Sequence, residues 1–448
     1  MSALYEGSGS QLPGPACVLE RRTAAERDRE RARFVDAMRR HPLFASGVPI
    51  WAARAPGRFD VLGGIADYSG SLVLALPTAD AAFVAVQAMS DGRAAAVSGA
   101  RRIAIAADEL LDLPLEDLAR RFSGRDAWAA YVLGPVAALT RELAVRPAGI
   151  RVVVSSTVPE GKGLASSAAV EIASVYAASA CFGLEVPIEK LAALAQTAEH
   201  ILAGAPCGPM DQLTAARGEA GKLLAILCQP AEVVASLTLP APFALWGIDS
   251  GTTHVVAGAG YRRVRCASFI GKALLGCRGH LATSSCRESD VERLPEEMTG
   301  REFLRRYEQV EDEVSSVEPE VTYPVRAATL HPIQEHVRVQ MFAELLAMPV
   351  TDRRTRLLGE LMYQSNASYG RCGIGTAKTD AIVAAVRRLG WERGLAGARL
   401  SGGGSGGTVV VLGHRDAEPL VARIADELGA GYTGGSSSGA ASFGVKQV

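Results

Sequence analysis

Apolar positions along the chain switch between two spacings. Short runs rich in Val, Ile, Leu and Ala occupy Trp51–Ala55, Ser71–Leu76 and Ala82–Gln87, and recur in "RPAGIRVVVSSTVP", "KLLAILCQ" and "FALWGIDS". Each predicts a strand, the fourth ending at Pro159. Helical spacing takes over in "SSAAVEIASVYAASACFG", closing at Gly183, and in "IEKLAALAQTAEHILAG", capped by Gly204. The segment 23–40, "TAAERDRERARFVDAMRR", predicts an exposed helix with a thin apolar stripe at Phe34 and Met38. Arg262 to Cys277 reads as helical, and 336–366 as helix-rich. The charged stretch 278–330 has little periodicity and is expected to wrap the surface.

The order of elements near the C-terminus is more specific. "TDAIVAAVRRLG" is a helix and "GARLSGGGSGGTVVVLG" two strands about a glycine loop. "AEPLVARIADELG" is a second helix, followed by a last strand. Helix-strand-strand-helix-strand fits a ferredoxin-like α/β sandwich. The chain divides, on this reading, into a flexible segment and helix over 1–45, a first domain over 46–235 and a second over 236–448. Residues 1 to about 20 are rich in Gly, Ser and Pro and are expected to be disordered.

The 448 residues are long enough for two or three cores. A formal net charge of -1 gives no broad basic field for nucleic acid. No long apolar run suggests a membrane span, and the N-terminus lacks a signal-peptide pattern. The eight cysteines form no CxxC pair, so reduced thiols in a cytoplasmic protein are expected, with a stray zinc site the alternative.

Three glycine-containing stretches carry chemistry. "VPEGKGLASSAAVE" joins a strand to a helix. Gly161 and Gly163 let backbone approach an anion, and Ser166 and Ser167 open a helix whose free N–H groups favour phosphate. The same letters also fit a Gly/Ser turn with a good N-cap. "AEHILAGAPCGPMDQ" sets Glu199 and Asp211 on either side of a Pro/Gly loop that can turn both carboxylates toward one cavity; two solvated carboxylates are the plainer alternative. "RLSGGGSGGTVVVL" breaks a hairpin with glycines, and its β-branched flanks argue for close backbone approach to a ligand over a linker. A fourth stretch, "GRFDVLGGIADYSGSLVL", places Gly63, Gly64 and a lone Asp67 between two strand-like runs, either as a turn or as a pocket wall.

Together these four resemble the motifs of the GHMP small-molecule kinases, in their order, over nearly all of residues 50–445. The galactokinase branch matches best, and within it the wording is most similar to the arabinokinases. The resemblance implies an α+β fold of two domains, the first like domain 2 of ribosomal protein S5 and the second ferredoxin-like. It implies ATP-dependent phosphorylation of the anomeric hydroxyl of L-arabinose, with D-galactose the alternative substrate and a catalytically dead sugar sensor a third reading. ATP and Mg2+ would be the cofactors, and sugar and ATP the small-molecule partners of a monomer or homodimer, with no nucleic acid and no membrane.

By the same resemblance Asp211 faces the anomeric hydroxyl and Arg58 sits beside it. The loop over the ATP phosphates runs through Pro159, Gly161, Gly163, Leu164, Ala165, Ser166, Ser167 and Ala168. Ser167 and Glu199 are the magnesium ligands. Gly64, Ile65, Asp67, Tyr261, Gly403 and Gly404 belong to the sugar site. Galactokinases carry Glu-His at the positions of Gly64-Ile65, where the Glu serves the C6 hydroxyl of galactose; L-arabinose lacks C6. Asp60 stands where galactokinases usually have Asn. Arg58 is expected to lower the pKa of Asp211 and hold it ionised.

Overall fold

A computed structural model of the chain describes residues 24–252, 258–284, 286–404, 406–435 and 445–447. The disorder expected for residues 1 to about 20 lies outside them. Two sheets carry the fold. The first has eight strands, running Val445–Gln447, Trp51–Leu62, Leu72–Met89, Gly149–Ser156, Arg93–Ser98 and Arg101–Ala106 in order, with Lys222–Leu227 and Glu232–Thr238 branching off Leu72–Met89. All pairs are antiparallel except Arg93–Ser98 with Gly149–Ser156.

The two runs read separately at Ser71–Leu76 and Ala82–Gln87 are one strand. Its first part pairs with Leu224–Leu227 and its last part with Gly149–Ser156. Pro77 falls between these two ladders, opposite Arg58 beside the irregular register at Pro56/Arg58.

The sheet is buried on both faces. Ala53, Val84, Val86 and Val152 face a core formed with the helices Ala130–Glu142, Ser166–Cys181 and Ile188–Leu202. Their neighbours Ala52, Phe83, Ala85 and Val153 face the other way and receive Phe34 and Met38 from the helix Ala24–Arg39. The stripe expected to be thin and exposed is therefore core, with Phe34 and Phe83 rings 5.3 Å apart. Double-sided burial explains the near-continuous apolar runs in the sequence.

The second sheet orders its strands Leu395–Leu400, Thr408–His414, Phe243–Asp249 and Gly431–Gly435, all antiparallel, as ferredoxin-like topology requires. One face packs Trp246, Ile248 and Val411 against the helices Ala377–Leu389 and Glu418–Glu427. The other turns Phe243, Leu245, Val410 and Leu412 toward the helices Val325–Ala347 and Asp352–Arg371, which continue into the first core. The division read at residue 235 falls inside the strand Glu232–Thr238, which is hydrogen-bonded into the first sheet. The passage between sheets is the link at 239–242.

Two further expectations are corrected. Residues 278–330 do not simply wrap the surface: Val291, Leu294, Phe303, Val317 and Tyr323 build a separate core with Tyr68, Tyr261 and Val264. Widely spaced apolar anchors on short turns leave no period to read. The thiols are not all reduced either. Cys277 and Cys286 form a disulfide, their Cα atoms 6.3 Å apart across the turn Leu281–Thr283.

Candidate active site

The two sheets meet where the strand Trp51–Leu62 passes the glycine hairpin of the second sheet. Arg58 projects from this strand and is 3% exposed. Its Nε and Nη2 donate to the two carboxylate oxygens of Asp211, each at 2.8 Å, and its Nη1 donates to the Gly163 carbonyl at 2.6 Å. One guanidinium thus joins the first turn of the helix Met210–Arg217 to the phosphate-loop candidate. That planar fork is a property of arginine; the lysine ammonium is a point charge with no edge to match a carboxylate bidentately.

Gly163 adopts φ 70° and Ala165 φ 57°, turning the loop so that the helix Ser166–Cys181 begins at its rim. The hairpin of the second sheet clamps this loop: Thr408 N–H donates to the Lys162 carbonyl at 3.0 Å, and Ser401 Oγ to the Gly163 carbonyl at 3.2 Å. Lys162 pairs with Asp249 at 2.9 Å.

A narrow cleft opens here. It is lined by Arg58, Gly64, Ile65, Asp67, Gly161, Gly163, Leu164, Ala165, Ser166, Ser167, Asp211, Tyr261 and Gly403 among the residues singled out in the sequence. Cys207, Met210 and Gly402 complete the lining. Pro159, Ala168, Glu199 and Gly404 do not reach it. Ala168 is fully buried in the core, and Gly404 abuts Ile374, which a Cβ there would overlap. Glu199 sits behind the cleft at 2% exposure.

Around Glu199 is a buried polar network. Its carboxylate accepts from Gln212 Nε2 at 2.7 Å, from Cys207 Sγ at 3.0 Å and from the Ser167 hydroxyl. Gln212 Nε2 also donates to Glu171 at 3.0 Å, while the second oxygen of Glu171 has no partner. Burial raises both carboxyls, and the charge of Glu199 raises Glu171 further. No three His, Cys, Asp or Glu residues among those described form a metal cluster. A Ser hydroxyl, a carboxylate and an unsatisfied buried acceptor nonetheless suit a hard cation that takes its remaining ligands from phosphate and water.

Asp67 lies on the turn Asp67–Ser69 and is 6% exposed. Burial first, then the charge of Asp211, raises its pKa to about 7, against the opposing pull of Arg265. The loop holding Cys207 presses on it so closely that a Cβ on Gly208 would overlap the Asp67 carboxylate. Burial also lifts Asp211 above its ordinary value, with Arg58 opposing. The expected net lowering by Arg58 is thus reversed, because desolvation outweighs the cation.

Several residues escaped the sequence reading. Arg265 grips Asp312 through two bonds of 2.8 and 2.7 Å and donates to the Pro206 carbonyl at 2.8 Å, fixing the loop before Asp211. Glu335 accepts from Gly63 N–H at 3.1 Å, and His331 lies 2.9 Å from the Gly64 carbonyl. A second, roomier cavity shares Gly161, Ser166 and Ser167 with the cleft and is walled by Trp128, Tyr131, Val132 and Val170. Trp128 and Tyr131 stand three apart at a helix entrance, a spacing that alone also fits ordinary core packing.

Residues 130–219 match the GHMP kinases N terminal domain and residues 341–430 the GHMP kinases C terminal domain. A galactokinase from Roseiflexus sp. is 30% identical across 81% of this chain and 83% of its own length. L-arabinokinase of Arabidopsis thaliana is 36% identical across 91% of this chain, which spans 47% of that longer protein. The Lactococcus lactis galactokinase structure, complexed with galactose, superposes with a TM-score of 0.72 at 17% identity, covering 93% of this chain and all of that one. The chain belongs to the GHMP kinase family, in its galactokinase branch. No helix among the described residues is long and apolar enough to cross a membrane.

Proposed function

We propose that the chain is an ATP-dependent sugar-1-kinase acting on the anomeric hydroxyl of L-arabinose, giving L-arabinose 1-phosphate and ADP. The observation that carries this is the Arg58–Asp211 pair, set between a phosphate-loop candidate and Asp67 in one cleft. Phosphoryl transfer asks for positioned reactants and positive charge more than for covalent help. Asp211 orients the sugar hydroxyl and accepts its proton. Its burial makes it a better base than a solvated Asp, and Arg58 keeps it directed.

The loop from Pro159 to Ala168 receives the phosphates on its backbone and on the N-terminus of the helix Ser166–Cys181. The aromatic-walled cavity beside it takes the nucleoside end. Ser167 and Glu199 are the residues to hold Mg2+, which when bound supplies charge compensation for the phosphates. Asp67 and Tyr261 face the sugar, and Gly403 and Gly404 brace the site from the second domain.

L-arabinose is favoured by the corner at Gly64 and Ile65. The wall there offers no side-chain partner for a C6 hydroxyl, and Ile65 is 2% exposed. The galactokinase relatives support D-galactose as the second reading. ADP release measured over a sugar panel, with 31P NMR of the product, tests both. A higher kcat/KM for L-arabinose is expected; a preference for D-galactose transfers the assignment.

A further inference from the structure

We propose that Asp60 and Tyr369 set the sugar specificity of the cleft by acting through Gly64. Both are positioning residues. A Cβ built on Gly64 would overlap Asp60 Oδ2 and the Tyr369 hydroxyl together. Position 64 is therefore denied a side chain by what stands behind it. Its own backbone is not the reason, since the left-handed residues of this turn are Gly63 at φ 106° and Ile65 at φ 51°.

Neither obstacle can step aside. Asp60 is fully buried, and its Oδ1 accepts from Arg399 Nη1 at 2.7 Å. Its Oδ2 accepts from the Gly402 N–H at 3.1 Å, with the Tyr369 hydroxyl 3.4 Å away. Rotating Asp60 would strip the fully buried Arg399 of its carboxylate. The Tyr369 hydroxyl lies 3.0 Å from the Gly402 carbonyl. Its ring is flanked by Arg399, 4.7 Å from the ring centre, and by His331 at 5.4 Å.

The turn cannot retreat either. His331 holds the Gly64 carbonyl at 2.9 Å and Glu335 holds the Gly63 N–H at 3.1 Å. The carboxylate nearest this corner is thus committed inward, and the corner shows only backbone and Ile65. A ring bearing hydrogen there fits; a ring bearing a hydroxymethyl group finds its hydroxyl unpaired. The substrate consequence rests on the sugar-kinase reading above, whereas the steric coupling among Asp60, Gly64 and Tyr369 does not.

The test is a cycle read by thermal melting of the full chain. Gly64→Ala should lower the melting temperature. In an Asp60→Asn/Tyr369→Phe background the hydroxyl is gone and the neutral amide is held by Arg399 more weakly than the carboxylate, leaving it freer to rotate, so the same change should lower it by less than half as much. Equal losses in both backgrounds overturn the proposal, as does a Gly64→Ala protein that melts like wild type. The specificity arm adds Gly64→Glu to that background, or Gly64→Ser if the Glu protein does not fold. The kcat/KM for D-galactose relative to L-arabinose should rise roughly tenfold or more over wild type. A folded variant with the wild-type ratio overturns the specificity role and leaves the kinase reading standing. A wild-type chain with no sugar-dependent ADP release sinks the kinase reading instead, and the melting cycle still decides the coupling.

Discussion

Arg58 and Asp211, 153 positions apart in the chain, meet through two N–H···O bonds of 2.8 Å. The pair ties the strand Trp51–Leu62 of the first sheet to the helix Met210–Arg217, and the third donor of Arg58 ties both to the phosphate-loop candidate. Asp211→Asn keeps the size of the side chain but cannot accept the hydroxyl proton. Turnover should fall by roughly 100-fold or more with the melting temperature little changed. Recovery of a tenth of wild-type turnover would remove Asp211 from its assigned role.

The magnesium site proposed at Ser167 and Glu199 draws on a network that also holds Gln212 and Glu171. Ser167→Ala and Glu199→Gln should each raise the magnesium concentration needed for half-maximal turnover, and added magnesium should partly restore the rate. Glu171→Gln acts one step further out and should weaken cation affinity by roughly 10–100-fold. Mn2+ binding followed by EPR checks affinity apart from turnover; unchanged affinity in all three variants rejects the ligand set.

Asp67 gives a pH dependence with a definite sign. Its folded pKa of about 7 lies above its ordinary 3.8, so the folded protein holds this proton more tightly than the unfolded chain. The stability it contributes is full below pH 3.8 and is lost as pH rises through 7. Asp67→Asn should therefore flatten the decline in urea-unfolding free energy across that window. The sugar KM of the wild type should fall as pH rises through about 7, because only the ionised carboxylate accepts hydroxyl protons from two oxygens. A KM that keeps the same pH dependence in Asp67→Asn assigns the titration elsewhere.

The buried Arg265–Asp312 pair has side-chain exposures of 7% and 6%. Asp312→Ala leaves the guanidinium without its carboxylate and should cost about 3–5 kcal/mol in urea denaturation. Arg265→Met with Asp312→Leu should regain much of that stability. It should still impair turnover, because the Pro206 carbonyl loses its donor and the loop before Asp211 loosens. Full activity in the double variant would show that the loop holds its place without Arg265.

Much of this chain is legible as sequence because its signals are local. The period of apolar residues marks the helices Ser166–Cys181 and Ile188–Leu202, and the glycine punctuation marks the phosphate loop and the hairpin between Leu395–Leu400 and Thr408–His414. These features depend on neighbours a few residues away, so composition and spacing determine them. What the tertiary structure decided depends on partners far apart. The strand Leu72–Met89 is continuous because two different strands pair with its two ends. The stripe of Phe34 and Met38 is buried because the sheet has a second apolar face. Residues 278–330 form a core through scattered anchors such as Phe303 and Tyr323, which no period announces. Asp211 is raised, not lowered, because desolvation is a property of the assembled cleft that outweighs one adjacent cation. The bareness of Gly64 is set by Asp60 and by Tyr369, 309 positions beyond Asp60, and only folding brings those atoms to the same point in space.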